Sequence, residues 1–363
     1  MTLDLSRYHR QMLIAGIGTP GQEKLLSSRV LVLGCGALGT VIANLLARAG
    51  VGHLVVVDRD FIELTNLQRQ VLFDEQDVAD AIPKAEAAKR KIARINSQVT
   101  VDAVIDDVNH TNIEKLATGC DAIVDGVDNF ETRFLANDVA VKLGIPYIYG
   151  GAVGTVGMVY AILPHTESGD TPWERAGVAT PCLRCIFEQA PPPGMNPTCE
   201  TAGVLSPVVS IVSSYEVSET LKVLTGNWDA VNPMMLSIDT WLNTVKQFKV
   251  RRAYEVGNCP CCKQRQFEHL AGRFSSASTT LCGRNAVQLM RKLDGREKLN
   301  FDQIADRLRA HGSVTASRFM LRADIQDNGQ AYELTLFTDG RAIIKGTKES
   351  NTAKSIYAKY VGG

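Results

Sequence analysis

Two kinds of residue spacing in this chain can do chemistry. Cys182-Leu183-Arg184-Cys185 and Cys259-Pro260-Cys261-Cys262 are C-x-x-C pairs. Each such spacing lets a short turn aim two thiolates at one ion, and two pairs make a tetrahedral Zn²⁺ site. With Cys182, Cys185, Cys259 and Cys262 all supplying sulfur and no position left open, the site is expected to be structural. Redox-active thiols are the alternative, and Cys261 is the nearest substitute ligand. The second pattern is Gly34-Cys35-Gly36-Ala37-Leu38-Gly39. Gly34 permits a tight turn, Gly36 lets the backbone approach a phosphate, and Gly39 lets a helix pack on a strand. Asp58 follows about 20 residues later, the spacing of a ribose-binding carboxylate.

Charged and amide groups downstream bear on which nucleotide is bound, since nicotinamide dinucleotide and ATP both satisfy the glycines and Asp58. Asn66-Leu67-Gln68-Arg69-Gln70 and Pro83-Lys84 put an amide, a guanidinium and an ammonium within reach of phosphates. A triphosphate needs more cationic neutralisation than a pyrophosphate, which Arg69 and Lys84 can supply. The bland alternative for either cation is an ordinary solvated charge. Asp125 and Asp128 follow an apolar strand, where a carboxylate faces the ligand crevice, and Mg²⁺ typically uses one or two carboxylates with phosphate oxygens. Asp128 is the candidate Mg²⁺ ligand. The competing role for Asp128 or Asn129 is to cap the helix beginning near Thr132.

The elements that must position these groups alternate. Val30–Leu33 reads as a buried strand, Ile42, Leu45, Leu46 and Ala49 recur at helical spacing, and Leu54–Val57 forms a second strand ending at Asp58. Val99–Val101, Ala122–Val124 and Tyr147-Ile148 follow as strands, separated by helical stretches at Lys84–Ile95, Asn112–Leu116 and Arg133–Leu143. This is an α/β fold with a Rossmann-like, doubly wound, mostly parallel sheet covered on both faces. Ala152–Leu163 reads as strands with glycine bends, and Val208–Leu224 as an amphipathic helix stopped by Gly226.

The 363 residues imply about two domains at ~150 residues each, and 45% hydrophobic with 21% charged side chains excludes intrinsic disorder. Lysine plus arginine equals aspartate plus glutamate at 39 each, so no global field points to nucleic acid or an anionic membrane. The N-terminus has no basic segment followed by an apolar run, and no apolar stretch approaches membrane-spanning length, so a cytoplasmic protein is expected. Nine cysteines with paired spacing suit a reducing compartment better than a disulfide framework.

Arg7-Tyr8-His9-Arg10-Gln11, the glycine motif, Asn66-Leu67-Gln68-Arg69-Gln70, Pro83-Lys84 and Asp128-Asn129, taken in order, closely resemble the ThiF/MoeB/HesA family, bacterial relatives of the ubiquitin-activating enzymes. The resemblance spans about residues 5 to 265. It implies ATP-dependent adenylation of the C-terminal glycine carboxylate of a ubiquitin-like sulfur carrier protein ending in Gly-Gly, with pyrophosphate released. It also implies Asp58 on the ribose, Asn66, Arg69 and Lys84 near the phosphates, with Gln70 and Asn129 beside them, Asp128 on Mg²⁺, and Arg10 reaching across a homodimer. The same four cysteines are zinc ligands in ThiF-like and MoeB-like members. One departure is Ala81, two residues before Pro83-Lys84, where members commonly carry glycine; a small difference in the turn presenting Lys84 is expected.

A proline-rich stretch from Pro191 to Glu200 suits neither a helix nor an interior strand, and is expected to be a mobile loop. Its Cys199 matches the family's crossover-loop cysteine, which in some members forms a covalent sulfur link with the carrier; the alternative is an unremarkable loop thiol. The first domain is read as residues 1–268 and the linker as 269–280. A small α+β module over 281–363 follows, with helices near Asn285–Leu293, Phe301–His311 and Ser350–Tyr360, and strands around Phe319–Ile325, Tyr332–Phe337 and Ala342–Lys345. Thr338-Asp339-Gly340-Arg341 has the composition of a hairpin turn. The module shows no recognisable catalytic residues, and its basic excess suggests docking of an acidic carrier. No rhodanese-like domain is evident, so the sulfur donor is expected to be a separate protein. Two other readings compete: an NAD-dependent dehydrogenase, which leaves Arg69, Lys84, Asp128 and the cysteine pairs unexplained, and a non-catalytic zinc scaffold.

Overall fold

The structure, a computed structural model, describes residues 4–189, 202–274, 280–281, 286–290, 299–316, 319–337 and 340–362. Cys199, the proline-rich stretch, residues 275–279 of the linker and residues 338–339 of the hairpin turn lie outside them. The chain divides into two compact units, parting after Phe274.

The first unit is built on an eight-stranded sheet. Its strands are β1 (Arg29–Leu33), β2 (His53–Val57), β3 (Thr100–Val104), β4 (Ala122–Asp125), β5 (Tyr147–Val153), β6 (Val156–Ile162), β7 (Met234–Asp239) and β8 (Thr244–Lys249), in the order β3-β2-β1-β4-β5-β6-β7-β8. The pairs from β3 to β5 are parallel, and β6, β7 and β8 add antiparallel. The mostly parallel, doubly wound expectation therefore holds for the half that carries the glycine motif.

Apolar runs explain the parallel half. All four residues after Arg29 in β1 and after His53 in β2 are buried, as are all of β4, because helices cover both faces. On one face the helices Ala37–Ala49, Lys84–Ile95 and Ser206–Thr225 close a core around Val30, Val32, Leu54, Val56 and Ile148. On the other, Phe130–Leu143 and the cysteine-rich segments close a core around Leu31, Leu33, Ile123 and Tyr147. Strand β8 is exposed along its length, and a sequence of Thr244-Val-Lys-Gln-Phe-Lys249 gave no apolar run by which to foresee it.

The helix Ser206–Thr225 ends at Gly226 in the left-handed region, as anticipated. It is not simply amphipathic. Glu216 is fully buried in it, neither carboxylate oxygen has a partner, and the carboxyl lies so close to Gly150 of β5 that a Cβ there would sit 2.2 Å from its carbon. Burial pushes its pKa well above the usual carboxylate range, and nearby Asp125 pushes the same way against Arg133. A raised folded-state pKa means that the associated stability is complete below the ordinary value of ~4.3 and is lost as pH rises. Glu216→Gln is therefore expected to melt above the parent by several degrees, roughly 2–4 °C per kcal/mol regained at this size. The gap should widen between pH 5 and pH 8 in thermal unfolding; a gap independent of pH would contradict the burial argument.

The second unit carries β9 (Thr280–Leu281), β10 (Ala286–Met290), β11 (Gly312–Ala316), β12 (Met320–Asp327), β13 (Gln330–Phe337) and β14 (Arg341–Lys345), ordered β11-β12-β13-β14-β10-β9 and antiparallel throughout. Helices Phe301–Leu308 and Ser350–Tyr360 bury Ile304, Leu308, Ile356 and Tyr357 in the same core as Val287, Leu334 and Ile344. The expected helix at Asn285–Leu293 is corrected. Ala286–Met290 pairs with β14 instead, and backbone pairing prevails over the helical propensity of Gln288, Leu289 and Met290. Among the described residues, no helix is long and apolar enough to cross a membrane.

Candidate functional site

Strand order reverses between β1 and β4, which pair in parallel with Leu33 opposite Asp125. Crevices at the carboxyl ends of such strands are where open α/β sheets bind ligands. The glycine turn sits there. Gly34 has φ +80°, and a Cβ on it would lie 2.7 Å from the carbonyl oxygen of Gly126, on the loop after β4; a Cβ on Gly39 would lie 2.0 Å from the Gly34 carbonyl oxygen. Turn, helix and loop are thus in backbone contact. Gly36 differs: a Cβ there meets nothing within 4 Å, so its backbone faces open space at the helix N-terminus, the geometry a phosphate needs.

Asp58, just past β2, accepts from Cys35 N and from Asp60 N, both at 2.7 Å. Its carboxylate thereby ties the glycine turn to the β2 loop. Burial raises its pKa, and the Lys84 ammonium counters most strongly. Lys84 opens its helix almost completely buried, with Nζ 3.3 Å from Asp60 Oδ2 and its own N–H bonded to Asp60 O at 2.9 Å. Three residues upstream Ala81 adopts φ +48°. The departure from glycine therefore leaves the turn in the left-handed region, where a Cβ costs about 1 kcal/mol or more.

Asn66 is buried and works in a reciprocal cap, its Oδ1 accepting from Glu63 N at 3.0 Å. Arg69 is half-buried and donates from Nη1 to Thr65 O at 3.0 Å. Gln70 is buried with Oε1 unpartnered, an orphaned acceptor beside the basic motif. After β4 the two competing roles separate. Asn129 caps the helix Phe130–Leu143 by accepting from Thr132 N at 2.9 Å, which leaves Asp128 exposed with only a 3.5 Å contact from Asn129 Nδ2. Asp125 is consumed structurally by Arg133 Nε (3.0 Å), Tyr147 Oη (2.8 Å) and Val127 N (3.0 Å). Arg133 also donates to Val127 O and Gly150 O, holding the loop that presents Asp128.

Arg10 is exposed on the short helix His9–Met12, anchored by the bonds of Gln11 to Gln22 and to Ala49 O. Neither Arg10 nor Arg69 bonds to Asp58 or Lys84. Asp60, Arg59 and Asp107 lie outside the expected site residues, although the Asp58-Arg59-Asp60 spacing signals paired carboxylates at a strand end.

The four cysteines converge. Sγ atoms of Cys182 and Cys185 lie 3.8 Å apart, Cys182 and Cys259 3.6 Å, and Cys185 and Cys262 3.3 Å, all four within 4.8 Å of one another. These separations exceed a disulfide and suit thiolates at ~2.3 Å from one tetrahedral zinc, where sulfurs fall roughly 3.8 Å apart. Cys261 is not one of these four and accepts from Asn137 Nδ2 at 3.3 Å, while Asn137 Oδ1 accepts from Leu183 N at 2.7 Å. Asp138 accepts from His269 N and Leu270 N, and burial lifts its pKa to about 6. The helix Phe130–Leu143 thus braces both cysteine segments from one side and the β4 loop from the other.

The ThiF family model matches residues 8–261. The sulfur carrier protein ThiS adenylyltransferase of Bacillus subtilis is 40% identical over 358 residues, 98% of this chain and 99% of the relative. The sulfur carrier protein adenylyltransferase of Thermus thermophilus is 37% identical over 262 residues, 71% of this chain and 91% of that one. Among solved structures, Escherichia coli MccB with ATP shares the fold at TM-score 0.58 and 24% identity, over 70% of this chain and 74% of that one.

Proposed function

Because this chain belongs to the ThiF family, we propose that it adenylates the C-terminal glycine carboxylate of a ThiS-like sulfur carrier protein, using ATP and releasing pyrophosphate. The observation that carries this reading is the buried Lys84 ammonium beside Asp58 and the glycine turn, on a chain that aligns end to end with the Bacillus relative. Two anions must meet, a carboxylate and a triphosphate, so the site has to neutralise charge and hold the reactants in line. Gly36 offers its backbone to phosphate on the turn that Gly34 and Gly39 shape, Asp58 binds the ribose, and Asn66, Arg69, Gln70 and Lys84 take the phosphate oxygens. The carrier's carboxylate is already ionised at neutral pH and attacks the α-phosphorus; the α,β-bridging oxygen leaves with pyrophosphate, and no general base is required. Asp128, exposed and beside the cap residue Asn129, would hold Mg²⁺, which supplies further neutralisation of the triphosphate. Cys182, Cys185, Cys259 and Cys262 would hold Zn²⁺ as a structural clip.

Arg10, exposed near the N-terminus, is the cation each chain would offer its neighbour's site in a homodimer. Cys199 is the residue for any covalent sulfur link, with sulfur delivered by a separate protein. The relatives above are adenylyltransferases, and neither the dehydrogenase nor the scaffold reading gains support from them. The test is ATP–pyrophosphate exchange with a small carrier ending in Gly-Gly. Exchange should appear with the intact carrier and vanish when its last two glycines are deleted; no exchange with any such carrier would retire the proposal.

A further inference from the structure

Lys84 has an anionic partner before any phosphate arrives. Its ammonium meets Asp60 Oδ2 at 3.3 Å, its backbone N–H bonds Asp60 O, and Phe61 bridges Pro83, so residues 60–61 and 83–84 are fastened together. The other oxygen of Asp60 faces a second cation, Arg59 Nε at 3.7 Å, and Arg59 Nη1 holds Asp107 Oδ2 at 2.8 Å on the loop after β3. Carboxylates and cations alternate along this row: Asp58, Lys84, Asp60, Arg59, Asp107. An ammonium with so little exposure is costly without a counter-charge, and a triphosphate that attracts it necessarily competes with Asp60.

We infer that Asp60 is a positioning residue for the adenylation reaction: it holds the Lys84 ammonium aimed at the nucleotide in the resting enzyme and pairs with Arg59 instead when phosphate takes Lys84. The inference rests on the adenylation reading above. Arg59 is already within 4 Å of the oxygen that Lys84 does not use, so the exchange of partners requires side-chain rotation and no backbone change. Asp107 keeps the Arg59 guanidinium beside Asp60 in both states.

The experiment measures acetylation of Lys84 by acetic anhydride at pH 8, read by peptide mass spectrometry, alongside exchange kinetics. Because only the neutral amine reacts, loss of the counter-ion in Asp60→Asn should speed Lys84 labelling at least tenfold without nucleotide. It should also lower the exchange kcat at least tenfold and move the pH optimum toward acid. Asp60→Glu should restore slow labelling. Arg59→Gln should label like the parent without nucleotide, yet show an ATP KM raised at least fivefold, because the Arg59 guanidinium is then missing as the alternative partner of the Asp60 carboxylate. Labelling of Asp60→Asn within twofold of the parent overturns the inference. Should that variant not fold, an Arg59→Gln KM within twofold of the parent overturns it equally. A parent enzyme without exchange, combined with faster labelling of Asp60→Asn, would count against the adenylation reading while leaving the Lys84–Asp60 coupling established.

Discussion

Replacing Asp128 with asparagine is expected to lower carrier-dependent ATP–pyrophosphate exchange by roughly 10²- to 10³-fold, about 3–4 kcal/mol at the transition state, with the fold intact. The structural basis is the division of labour after β4. Asn129 caps the helix and Asp125 is the carboxylate that bonds Arg133 and Tyr147, so Asp128 carries no bond the fold depends on, and its removal should leave the melting temperature within a degree or two. Arg69→Ala should behave similarly in rate, since its one bond, to Thr65 O, is local. Exchange by the Asp128 variant within threefold of the parent would remove the carboxylate from the reaction. An equal fall in exchange and melting temperature would recast it as a structural residue.

Removing metal from the cysteine cluster is expected to have the largest effect on stability. Structural zinc contributes ~10–16 kcal/mol in small zinc-binding peptides, comparable with the whole net stability of a typical domain, ~5–15 kcal/mol. Purified protein should release one zinc per chain to a chromogenic chelator after thiol modification, and Cys185→Ser should abolish that release. Calorimetry should then show the first unit melting at least 10 °C lower, with the second unit's transition unshifted. A zinc-free preparation with the parent melting profile would refute a structural role.

Much of this arrangement is legible in sequence because it rests on local chemistry. Short apolar runs ending at Gly34 and at Asp58 mark β1 and β2, the spacing from the glycines singles out Asp58, and paired cysteines mark the cluster without reference to the fold. What escaped was set by partners distant along the chain. A polar edge strand such as β8 is a strand only because β7 offers it hydrogen bonds. Ala286–Met290 contains good helix formers and becomes strand through β14. Glu216 looks like the wet side of a helix until Gly150, some 66 residues earlier, is found beneath it. The Asp60–Lys84 pair is likewise invisible until the strand loops are brought side by side. Residue type and spacing point to groups capable of chemistry and say little about which groups hold them.

The cysteine cluster has one more consequence. Its two halves stand on either side of a stretch of more than seventy residues that includes the long helix, β7 and β8. A metal bound there would close so long a loop and limit the chain's freedom whether or not the strands between are zipped. Both roots of that stretch would then stay planted at a single point, so any rearrangement within it during turnover would begin and finish there, like a drawbridge whose two chains share one post.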